Sequence, residues 1–412
     1  MNNNNQHIPS GYKPSPLGII PEDWEVKRLG DFSRFFSGGT PKSGNPLFYN
    51  GNIPFIRSGE INKGKTELFL SQEGVDNSSA KLVEEGDILY ALYGANSGQC
   101  SLSKIQGAIN QAILCIRPKT NKYYVMSVLQ LNKEHYYNSF LQGGQGNLSG
   151  EIVSNYRLAI PPIEEQERIC NVLQLWDTAI AKQTALIEKL TLCKRGLMQQ
   201  LLTGKKRLKG FEGEWKNIMI GSIAERITRK NEEDNKNVVT ISAQRGFVVQ
   251  TDFFNKSVAS EILDGYFLVH KDEFCYNKSY SNGYPMGAFK RLKSFDKAVV
   301  PTLYICFRLK EKLRASIDFF EQYCESGLLN KELVKVANEG GRAHGLLNVT
   351  PADFFNMHMR FPLIEEQTAI ASVLVNADKE IEIHKQKLAA MQEQKKGLMQ
   401  VLLTGKRRIK IN

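Results

Sequence analysis

PPIEEQERICNVLQLWDTAI at residues 161–180 opens a segment that closes with KRGLMQQLLTGKKRLK at residues 194–209. The pattern returns 201 positions later, from PLIEEQTAIASVLVNADKEI at residues 362–381 to KKGLMQVLLTGKRRIK at residues 395–410. The copies align without a gap over 49 positions, of which 22 are identical. Such a repeat predicts two copies of one structural unit, around which the rest of the chain is arranged.

Each copy predicts one long helix. Pro161, Pro162 and Pro362 suit a first turn, where the missing N–H has no partner to lose. The paired glutamates that follow place negative charge at the positive end of the helix dipole. Gly204 and Gly405, each followed by lysine and arginine, predict the C-terminal ends. About 40 residues at ~1.5 Å each give a helix of ~60 Å.

Apolar residues recur in both copies at spacings of four and three, which indicates a coiled-coil seam. The predicted helix-pair interface comprises Ile169, Leu173, Trp176, Ile180, Gln183, Ile187, Leu190, Leu197 and Leu201, and in the second copy Ile370, Leu374, Ile381, His384, Leu388, Met391, Leu398 and Leu402. We predict that the helices pack antiparallel. Gln183 would then lie near His384 in a polar layer that fixes the register.

Two further features of the repeat concern helix packing. Lys194 and Lys395 occupy polar positions of the seam. Gly196 and Gly397 lie within the last turns, although glycine costs a helix about 1 kcal/mol relative to alanine. We interpret both glycines as sites of close backbone approach.

Length and composition indicate a soluble globular protein with several domains. The chain has 412 residues, of which 42% are hydrophobic and 24% charged. The N-terminal stretch MNNNNQHIPSGYKPS lacks an apolar signal core, and no apolar run is long enough to span a membrane. We therefore expect a cytoplasmic protein without a membrane association. The net charge of +11 suits a polyanionic partner.

Cysteine and histidine patterns predict neither a disulfide framework nor a metal site. The seven cysteines include no Cys-x-x-Cys pair, and the six histidines show no ligand spacing. Reduced thiols are the expected state in a cytoplasm. No Ser/His/Asp set or carboxylate pair can be assembled, so the sequence predicts no catalytic site.

Two larger segments, 24–160 and 215–360, share their landmarks. Each opens with a tryptophan and a strand-like run, continues with short β-rich runs, and closes with a glycine-rich loop before the long helix. Each also contains a helical patch, near 123–141 and near 315–337. The predicted fold class is α+β, with two α/β globules separated by two long antiparallel helices.

The predicted division is a lead-in and first globule at 1–160, a helical repeat at 161–210, a second globule at 211–360, and a helical repeat with a basic tail at 361–412. Because no globule follows the second repeat, we predict that the tail 406–411 returns to the lead-in 12–24. The arrangement would then be circular and pseudo-twofold.

An alternative interpretation, an enzyme that binds a nucleotide or S-adenosylmethionine, depends on two short motifs. GEINKGKT at 59–66 matches the phosphate-loop pattern, but the strand-like TELFLSQEG follows it, which favours a hairpin turn. Asn45-Pro-Leu-Phe48 resembles the adenine-methyltransferase motif, but its second proline is missing and its surroundings are loop-like. Measuring cofactor binding would separate this alternative from a binding protein.

Polar, glycine-rich loops punctuated by aromatic residues are the remaining candidates for function on this basic chain. Arginine and lysine pair with guanine or phosphate, and asparagine and glutamine pair with adenine. The candidate DNA-binding residues are Lys42, Ser43, Asn45, Arg57, Lys63, Lys65, Tyr93, Asn96, Ser97, Gln145 and Asn147 in the first globule, and Arg229, Lys230, Gln244, Arg245, Asn277, Lys278, Tyr280, Asn282, Lys290, Arg342 and His344 in the second.

From about residue 12 to its end, the chain resembles the specificity subunit of type I restriction–modification enzymes. The resemblance rests on the PPIEEQ and PLIEEQ openings, the GLMQQLLTGK and GLMQVLLTGK endings, and the GIIPEDWEVKRLGD, SGGTPK, GDILY and GQGNLSG stretches. The second globule departs more, with HKDEFCYN in place of GDILY and GGRAHGLLNVT in place of GQGNLS.

The resemblance implies a non-catalytic subunit whose globules are target-recognition domains, each reading half of a bipartite sequence in double-stranded DNA. Two modification subunits would bring S-adenosylmethionine and methylate a flipped adenine. Restriction subunits would bring ATP and Mg for translocation and cleavage. The helical repeats would set the spacing of the half-sites and dock these partners, and this chain would bind no cofactor or metal.

Overall fold

A computed structural model describes residues 8–141, 147–250, 263–310, 315–337 and 347–409, without the side chains of residues 137 and 139–141. The chain forms two compact units. The first comprises Met1–Thr184 with Lys387–Asn412, and the second comprises Ala185–Gln386. Each unit therefore combines one globule with part of both long helices. The predicted division into four segments follows chain order instead, and it stays a prediction.

The first unit contains twelve strands and four short α-helices in its described residues, and the first long helix begins there. The strands are β1 Tyr12–Ser15, β2 Gly18–Pro21, β3 Glu25–Arg28, β4 Ser33–Ser37, β5 Tyr49–Ile56, β6 Leu68–Leu70, β7 Lys81–Val83, β8 Ile88–Ala91, β9 Cys100–Leu102, β10 Gly107–Ile109, β11 Ile113–Pro118 and β12 Arg157–Ile160. The helices are α1 Gln72–Asp76, α2 Lys122–Leu131, α3 Lys133–Leu141, α4 Gly150–Ser154 and the long α5 Ile163–Leu201.

The second unit contains ten strands and four short α-helices in its described residues, and the second long helix begins there. Its strands are β13 Lys216–Met219, β14 Ala224–Arg226, β15 Val239–Ser242, β16 Gly246–Val249, β17 Phe267–His270, β18 Phe274–Asn277, β19 Ala288–Arg291, β20 Lys297–Val300, β21 Ile305–Leu309 and β22 His358–Phe361. Its helices are α6 Ile220–Ile223, α7 Ile317–Glu325, α8 Asn330–Val336, α9 Pro351–Asn356 and the long α10 Ile364–Leu402.

One antiparallel sheet has the same strand order in both globules. An antiparallel sheet of order β4-β11-β8-β9 in the first unit corresponds to β14-β21-β18-β19 in the second. The first and last strands of each globule also pair, β3 with β12 and β13 with β22, which places each opening tryptophan beside the start of a long helix. The predicted α+β class and the predicted likeness of the globules are confirmed.

The ends of both long helices follow the local signals in the sequence. Each helix has 39 residues and begins immediately after its proline-containing stretch. Gly204 and Gly405 adopt φ of 70° and 71°, the left-handed conformation that glycine accepts without strain. Beyond them the amides of Lys206 and Arg407 bond back to carbonyls of the last turn, at 3.1 and 3.0 Å. The predicted helix stops are confirmed.

The long helices run antiparallel within each unit. In the first, Ile169 and Leu173 near the start of α5 share an apolar core with Met399 and Leu402 near the end of α10. In the second, the end of α5 packs with the start of α10 in an equivalent core. The predicted antiparallel packing is confirmed. Gln183 belongs to the first unit and His384 to the second, and their pairing stays a prediction.

The interpretation of two helix glycines is wrong. A Cβ atom built on Gly196 or on Gly397 would meet nothing within 4 Å. Neither glycine is therefore a site of close backbone approach, because both face open space. The low helix propensity of glycine at these positions has no compensating contact.

The C-terminal tail packs against the N-terminal lead-in, as predicted. The hydroxyl of Tyr12 donates to the carbonyl of Gly405 at 3.0 Å. Arg408 forms two hydrogen bonds with the carboxylate of Asp23, at 2.9 and 2.8 Å. A Cβ on Gly405 would lie 2.4 Å from a ring carbon of Pro21, so the tail is pressed directly onto the lead-in.

Across the described ranges, no helix is both long and apolar enough to cross a membrane, and no three His, Cys, Asp or Glu side chains are grouped to hold a metal ion.

Candidate nucleic-acid interface

A buried carboxylate fixes the first globule to the start of α5. Glu165, whose exposed fraction is 2%, accepts a hydrogen bond from the indole N–H of Trp24 at 3.0 Å. The guanidinium of Arg408 donates two more, both at 2.7 Å. A buried carboxylate needs such donors because desolvation alone would disfavour its charge. This cluster holds the lead-in, the long helix and the tail together.

An equivalent cluster surrounds Glu366, which lies 201 residues after Glu165. Glu366 accepts from the indole N–H of Trp215 at 3.1 Å and from Arg207 at 2.5 and 2.7 Å. The next residues, Gln166 and Gln367, both donate to the proline carbonyl five positions earlier, at 2.9 and 2.8 Å. The shared letters IEEQ thus encode one joint between globule and helix. This joint fixes each globule to the start of a long helix.

Four loops meet at one edge of the first globule. Gln111, in the turn between β10 and β11, accepts a hydrogen bond from the Thr40 hydroxyl at 2.5 Å. Burial raises the pKa of Tyr93, and a hydrogen bond with Gln111 opposes that rise. The amide of Leu148 donates to the carbonyl of Leu92 at 3.0 Å, which brings the segment containing Asn147 to the same edge.

Glycine is required where the loop that contains Thr40 leaves β4. A Cβ on Gly38 would lie 1.8 Å from the carbonyl oxygen of Ile109, and the neighbouring Gly39 is crowded by Ser79 at 2.5 Å. The backbone of the SGGTPK stretch therefore lies directly against the end of β10. This contact keeps Thr40 next to the β10–β11 turn.

Residues 57–67 form the loop of the β5–β6 hairpin, which confirms the hairpin interpretation of GEINKGKT. A phosphate loop instead requires a helix after its glycines. Inside the loop, the buried Glu60 accepts hydrogen bonds from the amide and guanidinium of Arg57 and from the Thr66 hydroxyl, each at 3.1 Å. Burial opposes ionisation of Glu60, but these bonds outweigh it and lower its pKa to about 2.

The Glu60 network does not include two exposed cations of the same loop. Lys63 and Lys65 are exposed at the tip of the hairpin loop, whereas Arg57 also pairs with Glu67 at 2.5 Å. The Asn45-Pro-Leu-Phe48 stretch has a local role as well. Asn45 accepts the Leu47 amide at 3.1 Å and caps a single 3-10 turn at Pro46–Phe48.

In the second globule, the corresponding loops also converge. Gln244 in the β15–β16 turn donates to the carbonyl of Asn282 in the β18–β19 loop at 3.0 Å. The amide of Leu347 donates to the carbonyl of Lys278 at 3.0 Å. This bond matches the one between Leu148 and Leu92. Burial lowers the pKa of Lys278 below the usual range of a lysine.

Several candidate side chains are engaged inside the protein. Arg229 forms two bonds with the Glu273 carboxylate, at 2.8 and 3.0 Å. Lys290 lies 2.5 Å from Glu325 and is 12% exposed. Asn277 donates to the Ile241 carbonyl at 3.3 Å, and the buried Ser97 donates to the Leu92 carbonyl at 3.0 Å. Their partners hold them in structural roles, so the exposed candidates are better placed to meet DNA.

The exposed candidates are Lys42, Ser43, Lys63, Lys65, Asn147, Lys230, Gln244, Arg245, Tyr280 and Asn282. Asn45, Tyr93, Asn96 and Lys278 are half-buried in the same loops. Gln145, Arg342 and His344 lie outside the described residues. Contact of any of these residues with DNA stays a prediction.

Sequence reasoning missed the short turn between β10 and β11. Asn110 and Gln111 lie in it beside Thr40 and Tyr93, yet the letters NQA carry no motif. The equivalent turn between β20 and β21 carries Thr302 and Leu303, and Leu303 is 58% exposed. Only the shared strand order of the two sheets shows that these turns occupy equivalent places.

The fold combines duplicated globules, antiparallel long helices, and polar loops that converge within each globule. Residues 21–192 match the family described as the type I restriction modification DNA specificity domain. By this match, the chain is similar to the specificity subunits of type I restriction–modification enzymes.

Relatives of this family align along nearly the whole chain. The MjaVIII specificity subunit of Methanocaldococcus jannaschii is 26% identical over 421 residues, covering 95% of this chain and 94% of its own. The putative MjaX specificity subunit of the same organism is 27% identical over 443 residues, with 97% of each chain covered. The crystal structure of a type I S subunit from M. genitalium has the same fold. It superposes with a TM-score of 0.54 at 13% identity and covers 100% of this chain and 99% of that one.

Proposed function

We propose that this subunit reads a bipartite DNA target, each globule contacting one half. The proposal rests on one observation. One sheet has the same strand order in both globules, but equivalent turns carry different side chains. The β10–β11 turn presents Asn110 and Gln111, whereas the β20–β21 turn presents Thr302 and Leu303. Amide side chains pair with adenine edges, and apolar side chains contact the thymine methyl group. Two unlike half-sites would follow from this difference.

The exposed cations would position the globules on the duplex. Lys63 and Lys65 in the first globule, and Arg245 in the second, lie on the loops that carry the candidate reading residues. Phosphate contacts of this kind fix register and orientation, while base contacts specify sequence. The net charge of +11 suits such a partner.

The long helices would set the spacing of the half-sites and dock two modification subunits and the restriction subunits. In this arrangement the modification subunits supply S-adenosylmethionine and methylate a flipped adenine. The restriction subunits use ATP and Mg, and this chain binds none of these cofactors. The local roles of GEINKGKT in a hairpin loop and of Asn45 in a turn support a non-catalytic chain.

The proposal is tested by co-expressing the chain with the methyltransferase encoded beside it and mapping the methylated sites by methylome sequencing. Exchanging residues 24–160 for the first globule of another family member should change one half-site only. The matched exchange of residues 215–360 should change the other half-site. A single exchange that alters both halves, or neither half in an active enzyme, would contradict independent reading. Binding of ATP or S-adenosylmethionine by the purified chain would contradict the non-catalytic assignment.

A further inference from the structure

A groove of about 1070 Å³ lies within the second unit, between the C-terminal part of α5 and the globule. Its helical wall runs from Thr191 to Lys205, and its other wall comes from the β18–β19 loop, the end of α7 and the start of α8. Arg360 on β22 lines it as well. We call this cavity the α5 groove.

Cations without a protein partner dominate the α5 groove. Arg195, Lys205, Lys331 and Arg360 are all exposed. Within the described residues, none of these four side chains forms a salt bridge. Glu325 is the one carboxylate among the described lining residues, and it already accepts hydrogen bonds from Lys290 at 2.5 Å and from the Tyr284 hydroxyl at 2.9 Å. The groove therefore presents uncompensated positive charge.

The α5 groove continues into a second cavity of about 360 Å³ that reaches the candidate reading loops. The two cavities share Lys194, Tyr284 and Glu325, and the second is also lined by Gln244 and Arg245. A path of positive charge therefore leads from the β15–β16 turn to the end of α5.

Partners within the unit neutralise the carboxylates of this second cavity. Glu321 pairs with Lys293 at 2.7 Å. Asp378 accepts from Lys194 at 2.6 Å and from Gln322 at 2.7 Å. Among the described residues, each carboxylate that lines either cavity is therefore paired with a cation.

We propose that the α5 groove binds the phosphodiester backbone of one DNA strand, beside the half-site read by the second globule. The proposal rests on the proposed function, because continuity with Gln244 and Arg245 makes DNA the polyanion nearest to the groove. Flexible lysine and arginine side chains bind phosphate without reading sequence. The groove therefore adds affinity and fixes orientation, and it leaves the recognised bases unchanged.

The test compares the full chain, produced with its methyltransferase, with the triple variant Arg195→Ala/Lys331→Ala/Arg360→Ala. Binding to a duplex that carries the methylated site is measured from 50 to 200 mM salt. Each lost phosphate contact lowers the slope of log affinity against log salt by ~0.9, or about 2.7 for three contacts. Over this range the parent should lose roughly 40-fold more affinity than the variant. The methylated sequence should stay the same.

The matched control is Arg226→Ala/Lys310→Ala/Lys379→Ala, which removes the same charge from exposed positions of the second unit that do not line the groove. It should keep the parent's slope, and thermal unfolding should show both variants folded. A groove variant that keeps the parent's slope overturns the groove proposal but not the proposed function. This holds even if the variant has lost binding to an acidic protein partner. Equal slope losses in both variants overturn it too. A parent that does not bind DNA overturns the proposed function and the groove together.

Discussion

The ammonium group of Lys395 lies 2.5 Å from the carboxylate of Asp177 on the facing long helix. In the other unit, Lys194 lies 2.6 Å from Asp378. Each of these two residues is 201 positions from its counterpart in the first pair. Each aspartate also bonds to its own globule, Asp177 through the Tyr123 hydroxyl and Asp378 through Gln322. These aspartates therefore join two helices and a globule at one point, and they fix the helix register in both units.

Reversing one of these charges should loosen the helix pair. Lys395→Asp places two carboxylates together at a partly exposed site, so we expect a loss of about 1–2 kcal/mol in the free energy of unfolding. The exchange Lys395→Asp/Asp177→Lys should recover part of that loss, measured by urea unfolding. Equal losses in the single and double variants would show that the pair does not specify register.

Removing Arg408 should cost more, because Glu165 is then buried with the Trp24 N–H as its one remaining side-chain donor among the described residues. We expect Arg408→Ala to destabilise the first unit by about 3–5 kcal/mol, the range for breaking a buried ion pair. Arg207→Ala should do the same to the second unit through Glu366. Hydrogen exchange that reports each unit separately would measure both losses. A loss under about 1 kcal/mol would contradict the role assigned to these clusters.

Glu60 should make the first globule sensitive to acid. Its pKa is lowered from 4.5 to about 2, so its stabilising effect is complete above pH ~4.5 and is lost as pH falls through about 2. A shift of this size corresponds to about 3 kcal/mol. The variant Glu60→Gln should unfold more easily at pH 7 and show a flatter stability profile between pH 4.5 and 2. Parallel profiles for the two proteins would refute this assignment.

Alanine should stabilise the long helices at Gly196 and Gly397. Nothing lies within 4 Å of a Cβ at either position, and alanine is favoured over glycine in a helix by about 1 kcal/mol. Each substitution should raise the free energy of unfolding by up to that amount. Destabilisation in either variant would indicate a close neighbour that the fold does not contain.

Local signals made the helices and the landmarks of both globules predictable. Proline, paired glutamates and glycine mark the helix ends through backbone chemistry that depends on a few neighbouring residues. Burial also follows the repeat, since Ile169, Leu173, Ile370 and Leu374 are each at most 1% exposed. The duplication itself allowed the return of the tail to be predicted.

Contacts between distant residues could not be read from one sequence. Asp177 lies next to the apolar seam, and its pairing with Lys395 depends on register, which the spacing of apolar residues leaves open. The roles of Asn110 and Gln111 depend on strand order, because the β10–β11 turn carries no motif. The error at Gly196 and Gly397 arose because low helix propensity was interpreted as evidence of a contact.

We propose that the long helices set the distance between two independently read half-sites. Inserting four residues within 180–190 adds about one helical turn, or ~5–6 Å. At ~3.4 Å per base pair, the unread spacer should lengthen by one or two pairs. Methylome sequencing of the variant beside the parent measures this directly. We predict a longer spacer between two unchanged half-sites; altered bases within a half-site, or an unchanged spacer in an active enzyme, would contradict the claim.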